Sequence, residues 1–172
     1  MMISTLDIES SGLSSQSYPI EIGVCLSVNN SCIEKNWLIK PENSWVQDLE
    51  WSLQSESKHG ISKEYLINNG ISAIDVCHDL NKTFDNKTLM VDTSQHDLRW
   101  INFLFNYFEI DRSFNIEYIF NDEHIMDIIS KVPIELFETK QNILIKEHKI
   151  REHRALDDAK LNFLLINHFL NS

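Results

Sequence analysis

Glycine and proline are scarce, at 4 and 3 of 172 residues, which leaves little room for long flexible linkers. No low-complexity stretch and no internal repeat interrupts the chain. No hydrophobic run approaches the ~18 apolar residues that a membrane span requires. The first residues, Met-Met-Ile-Ser-Thr-Leu-Asp, carry neither a basic start nor an apolar signal region, so a cytoplasmic protein with no membrane association is expected. Cysteine is limited to Cys25, Cys32 and Cys77. An odd count without a CxxC pair argues against a disulfide framework and against a zinc site. With a turn at Asn29-Asn30, Ser27 faces Cys32, and the two nearby cysteines are not directly opposed. All three are read as small buried hydrophobes. Positive charge is also in short supply: 15 Lys and Arg against 26 Asp and Glu give a net charge of −11. That balance disfavours a protein that coats nucleic acid non-specifically, since such binding rests on a Lys/Arg footprint. It does not exclude an enzyme whose carboxylates are balanced locally by bound cations.

Hydrophobic residues make up 42% of the chain, enough to fill one core without disulfides or a structural metal. One domain over residues 1–172 is expected. Residues 2–9, 19–28 and 31–39 read as strands, with Asn29-Asn30 as a hairpin turn between the last two. Trp45, Leu49 and Leu53 fall at helical spacing, and Ser62 can cap a short helix. Ile74, Val76, Cys77, Leu80 and Phe84 predict an amphipathic helix from Ser72 to Phe84. A buried strand at 88–93 is followed by a helix through Phe108. A fifth strand is expected at 116–120, then helices from Asn121 or Asp122, from Pro133 and from Ala155. The order predicts an α/β fold with a mixed five-stranded sheet, an antiparallel meander plus parallel strands, flanked by helices. Trp45, Trp51, Trp100 and Phe105 are read as core rather than as a dimer interface.

Three groups of residues carry chemistry. Asp7 and Glu9 lie two apart on a strand and therefore share a face. Two carboxylates there repel each other and lose hydration, and a divalent cation such as Mg²⁺ removes both penalties. A solvated strand end would tolerate the same pair. The flexible turn Ser10-Ser11-Gly12-Leu13 follows, at the C-terminal end of the strand, where α/β sites tend to lie. His153 stands just ahead of the last helix, and Asp158 lies in its first turns. Histidine is the side chain suited to take a proton near neutral pH, and a carboxylate one turn on can complete a metal site. Asp157 and Asp158 also simply favour the helix dipole. Asp97 opens the helix after the fourth strand. Lys140, Lys146, Lys149, Arg151 and Arg154 form the one basic stretch, which is equally read as a solvated face.

Taken together, a strand-borne DxE, a mid-chain Asp opening a helix and His-x4-Asp opening the last helix resemble the DEDDh exonucleases of the ribonuclease H-like superfamily. LDIESSGL is similar to the first motif of that family, YPIEIGVCL to its second strand, and HGIS at His59–Ser62 to a segment before a short helix. VDTSQHDLRWINFLF resembles the second motif and HRALDDA the third. Two departures stand out. Ser10-Ser11 replaces a Thr-Thr pair, and Thr93 and His96 replace the usual Asn and Phe of the second motif.

The resemblance implies metal-dependent 3′→5′ exonuclease activity with two Mg²⁺ or Mn²⁺ ions per site. Asp7, Glu9, Asp97 and Asp158 are the implied metal ligands, with Asp7 bridging, and His153 is the implied general base. Ser10, Leu13, His59 and Arg154 are the implied substrate contacts, Leu13 as an apolar wedge against the terminal base. The implied partner is the 3′ end of single-stranded RNA or DNA, with a lean to RNA or short oligonucleotides, and a homodimer stays open. Two other readings stand beside it: a DNA exonuclease of proofreading or repair type, and a degenerate non-catalytic nucleic-acid-binding module.

Overall fold

The computed structural model describes residues 3–28, 31–92 and 95–172. Among these, six strands form one sheet in the order β4-β3-β2-β1-β5-β6. The strands are β1 (Thr5–Ser10), β2 (Pro19–Val28), β3 (Ser31–Lys40), β4 (Ile71–Ser72), β5 (Thr88–Val91) and β6 (Asn115–Tyr118). β1, β2 and β3 pair antiparallel in chain order, and β5 joins β1 in parallel, with β6 parallel beyond it. The sheet is therefore mixed, as the element order predicts, with one strand more than expected.

The extra strand, β4, is two residues long and pairs parallel with Ile39 and Lys40 of β3. Two residues carry no alternation that a sequence pattern can register. Gly70 makes the pairing feasible, because a Cβ there would collide with the β3 backbone at Ile39 and Lys40 and with the Leu66 carbonyl.

Eight α-helices surround the sheet among the described residues. The first four are α1 (Asn43–Asp48), α2 (Leu53–His59), α3 (Lys63–Asn69) and α4 (Ala73–Phe84). The others are α5 (His96–Tyr107), α6 (Glu123–Ile129), α7 (Ile134–His148) and α8 (Ala155–Leu170). The Trp45–Leu53 spacing belongs to two short helices instead of one, since the chain breaks between Leu49 and Ser52. Ser52, Ser62, Ser72 and Asp122 cap α2, α3, α4 and α6 by accepting backbone N–H bonds. Strand β6 ends at Tyr118, and a 3₁₀ turn over Ile119–Asn121 takes the place of its expected last residues. None of these helices is long and apolar enough to cross a membrane.

Alternation along β1 divides the molecule. Leu6 and Ile8 point into the main core with Ile20, Ile22, Leu80, Phe84, Ile101 and Leu104. Thr5, Asp7 and Glu9 face the other way, towards α8, where the Thr5 hydroxyl donates to the Ala159 carbonyl at 2.6 Å. Gly23 of β2 lies directly under the start of α8. A Cβ at that position would fall inside the backbone of Ala155 and Leu156, so only glycine lets the helix settle on the sheet here. Trp45, Trp100 and Phe105 are buried in the core and Trp51 packs against it, as the packing reading anticipates.

The cysteine reading is corrected. Cys25 and Cys32 form a disulfide with a Cα–Cα distance of 5.5 Å. The β2–β3 register is the anticipated one, Ser27 opposite Cys32 and Cys25 opposite Glu34. Direct opposition is not required, however: diagonal neighbours on one face lie within reach of each other. Cys77 remains free and buried. The Asn29-Asn30 turn lies outside the described residues, as do Thr93 and Ser94.

Candidate active site

β1 runs between β2 and β5, and its C-terminal end opens into a cleft of about 490 Å³. The walls come from separate parts of the chain. β1 and the turn after it supply Asp7, Glu9, Ser10 and Leu13, α2 supplies Lys58 and His59, and α5 supplies His96, Asp97 and Trp100. Glu152, His153, Asp158, Leu161 and Asn162 close the far side, and Asp92 lies just beyond β5. The five residues implied as catalytic, Asp7, Glu9, Asp97, His153 and Asp158, thus line one cavity although up to 151 positions separate them (158 − 7).

The acidic groups sort into two triads. Ligand atoms of Glu9, His153 and Asp158 lie within 4.8 Å of one another, and so do those of Asp7, Asp92 and Asp97. Burial raises the Asp7 carboxyl well above its usual range, and the charges of Asp97, Asp158, Glu9 and Asp92 push it further. Burial, with Asp92 nearby, moves Asp97 to about 8. Burial, then the charges of Asp158 and Glu21, move Glu9 to about 7, and burial moves Asp158 to about 7 against the opposing His153 N–H bond, with Asp92 and Asp157 adding to the rise. Four carboxyls are thus raised together by burial and by one another's charge, and a cation among them would relieve both. The donors are all oxygens apart from one imidazole, which suits hard divalent ions. The Asp97 Oδ2 is buried without a hydrogen-bond partner among the described residues, an orphaned acceptor that such an ion would satisfy.

Local structure sets each side chain. Glu9 ends the regular part of β1, and the β1–β2 register shifts between Glu9 and Ser10, so the strand bends away at the cleft. Asp97 lies in the first turn of α5 and its carboxylate accepts from the Ile8 backbone N–H. His153 has φ +62°, a left-handed conformation that His tolerates better than most residues. Its backbone N–H donates to Asp158 Oδ2 at 2.9 Å, and the Arg151 N–H donates to Asp157 Oδ2 at 3.1 Å. The first turn of α8 therefore reaches back to hold the loop that carries His153.

The implied substrate contacts occupy different situations. Leu13 is 64% exposed at the mouth of the cleft, with Arg99 donating to its carbonyl. The Ser10 hydroxyl is committed to the Gly12 carbonyl at 2.7 Å. His59 is buried, and its Nδ1 accepts from the Ile61 N–H, so Nε2 carries the proton. That Nε2–H has no partner among the described residues. Burial lowers the His59 pKa, which keeps the ring neutral.

Arg154 does not line the cleft among the described residues. Its guanidinium makes a bidentate pair with Glu21, with Nε at 2.9 Å from Oε2. Glu21 is fully buried and also accepts from Asn36 Nδ2 and the Ala155 N–H. Burial pushes the Glu21 carboxyl up, but the bonds from Arg154, Asn36 and Ala155 prevail and hold it below its usual range. Sequence reasoning missed two residues here. Asp92 stands in the second-motif segment without a role assigned from the sequence, since an Asp after a strand is also an ordinary turn residue. Glu21 carries no local signal, because its donors, Arg154, Asn36 and the Ala155 N–H, come together only in the fold.

No known family profile matches the sequence, and no curated protein matches it by sequence. Solved structures do resemble it. The nuclease domain of 3′hExo, a DEDDh family member, bound to rAMP, superposes with a TM-score of 0.66 at 18% identity, over 98% of this chain and 91% of that one. Escherichia coli exonuclease I in its zinc-bound complex with single-stranded DNA gives a TM-score of 0.70 at 14% identity. That match covers 98% of this chain but 40% of exonuclease I, so the chain spans about two fifths of that enzyme's length. Exonuclease I from Methylocaldum szegediense gives 0.67 at 12% identity, over 96% of this chain and 40% of that one. The chain has the ribonuclease H-like fold found in these DEDDh and exonuclease I structures.

Proposed function

We propose that the chain is a metal-dependent 3′→5′ exonuclease that removes nucleotides from single-stranded nucleic acid. The observation that supports this most is the pair of clusters facing one cleft, Glu9 with His153 and Asp158 and Asp7 with Asp92 and Asp97, in a fold shared with nucleases. Asp7, Glu9, Asp97 and Asp158 would hold two Mg²⁺ or Mn²⁺ ions, which when bound supply the positive charge that phosphodiester hydrolysis needs at the attacking and leaving oxygens. His153, exposed at the rim, takes the proton from the attacking water. His59, which lines the cleft, would lend its N–H to the bound nucleotide, and Leu13 packs against the terminal base. The turn after Glu9 meets the 3′ end through its backbone, since the Ser10 hydroxyl is already used. Arg154 acts as a positioning residue: through Glu21 it fixes the start of α8 and so the placement of His153 and Asp158.

The substrate leans to RNA or short oligonucleotides. The related structures carry both chemistries, rAMP in 3′hExo and single-stranded DNA in exonuclease I, so the sugar is to be measured. Purified protein with 5′-labelled RNA and DNA strands and Mn²⁺ should produce a ladder shortening from the 3′ end. EDTA and the Asp7→Asn variant should abolish it, and the faster strand defines the preference. Absence of shortening on both strands and on di- and trinucleotides would sink the enzymatic reading and leave a nucleic-acid-binding module.

A further inference from the structure

We propose that Asp92 is an additional carboxylate ligand of the cation held beside Asp7 and Asp97, a fifth acidic ligand of the centre. This rests on the metal-dependent reading above and extends it to a residue that reading does not use. β5 pairs in parallel with β1 through Thr5 and Met90. Two residues further on stand Asp7, within β1, and Asp92, just past the end of β5, with ligand atoms in one cluster. The third member, Asp97, arrives from α5, and one ligand atom from each of the three lies within 4.8 Å of the others.

Two features separate this cluster from an ordinary group of surface acids. Asp97 is 2% exposed, yet its Oδ2 has no hydrogen-bond partner among the described residues and the residue lines the cleft. A buried carboxyl oxygen beside two further carboxylates is stabilised there by a proton or by a cation, and a divalent ion bound among the three takes the proton's place. Asp92 is also oriented: Asn162 of α8 donates from Nδ2 to its Oδ2 at 3.0 Å, the kind of outer bond that aims a ligand. Three carboxylates around one hard divalent ion hold it more tightly than two, and the preference for oxygen-seeking ions rises accordingly.

The Asp92→Asn variant separates this role from a purely structural one, because the amide oxygen still accepts the Asn162 bond while the charge is removed. Isothermal titration with Mn²⁺ should show two ions on the wild type. In Asp92→Asn one of the two should weaken by at least about tenfold and the other should be retained. Asp92→Glu, which keeps the charge, should bind the weakened ion better than Asp92→Asn. The metal-free melting temperature of Asp92→Asn should be unchanged or higher, and its rise on adding Mn²⁺ smaller than that of the wild type. A two-ion isotherm identical to the wild type overturns the proposal while leaving the metal-dependent reading intact. A lowered metal-free melting temperature with unchanged Mn²⁺ uptake assigns Asp92 to structure alone and overturns it as well. A wild type that binds no Mn²⁺ overturns both the metal-dependent reading and this extension.

Discussion

His153 is held by its backbone, through the Asp158 bond and a left-handed φ of +62°, while its ring stays exposed at the cleft. Removing the ring therefore touches chemistry more than architecture. His153→Ala is expected to lower the cleavage rate by roughly 10²–10⁴-fold, the usual contribution of a positioned base. Mn²⁺ affinity should change little in comparison with Asp7→Asn, and the melting temperature should fall only modestly, by the cost of placing Ala at the left-handed φ. Cleavage at the parent rate would remove His153 from the base role. His59 offers a second test at this scale. It lines the cleft and its Nε2–H has no partner among the described residues, so His59→Ala is expected to raise KM for oligonucleotides several-fold more than it alters kcat, as steady-state kinetics on a labelled trinucleotide would reveal.

At the scale of elements, the contact that matters is α8 against β1 and β2. Gly23 is the point where helix backbone meets strand backbone, with Ala155 and Leu156 in the space that any side chain would fill. Gly23→Ala is expected to destabilise the protein by about 3 kcal/mol through overpacking, measured by urea denaturation. Activity should fall too, because lifting α8 separates Asp158 and His153 from Glu9. The Glu21–Arg154 pair works on the same junction. Glu21→Ala leaves Arg154 without its partner and the Ala155 N–H without its acceptor, with an expected cost of about 3–5 kcal/mol. Retained stability in that variant would show that the pair carries little of the helix placement. Glu21 stands opposite Glu9 in the β1–β2 register, so the same strand pair holds one carboxylate for structure and one for the cleft.

The whole molecule feels the site through pH. Asp97 titrates at about 8, Glu9 and Asp158 at about 7, and Asp7 is raised as well, whereas carboxyls in an unfolded chain titrate near ~4. Between those limits the folded protein binds more protons than the unfolded chain, so metal-free stability falls as pH rises through the window. Cation binding must displace the same protons and therefore strengthens with pH. Melting curves in EDTA should drop from about pH 5 to pH 8, and the stabilisation by Mg²⁺ or Mn²⁺ should grow over that range. A metal-free melting temperature that rises steadily to pH 8 would contradict the shifts.

Local chemistry is written along the chain, and what it covers was legible. Strand alternation at Leu6, Asp7, Ile8 and Glu9, caps at Ser62 and Asp122 and the Ala155–Leu170 helix follow from neighbouring residues, and all stand where the sequence pattern puts them. The order of elements also contained the mixed sheet. Spacing along a strand puts Asp7 and Glu9 on one face, whereas Asp97, His153 and Asp158 are singled out by the resemblance of the ordered motifs, and all five line one cleft. Tertiary structure alone decided the rest. The two-residue strand β4 exists only because β3 offers it an edge. Cys25 and Cys32 meet diagonally across a register, a relation that direct opposition does not describe. Arg154 turns to a glutamate 133 positions away instead of facing the cleft. Asp92 joins Asp7 because β5 lies parallel to β1, and pairing between distant segments is a property of the folded sheet that no local pattern of residues encodes.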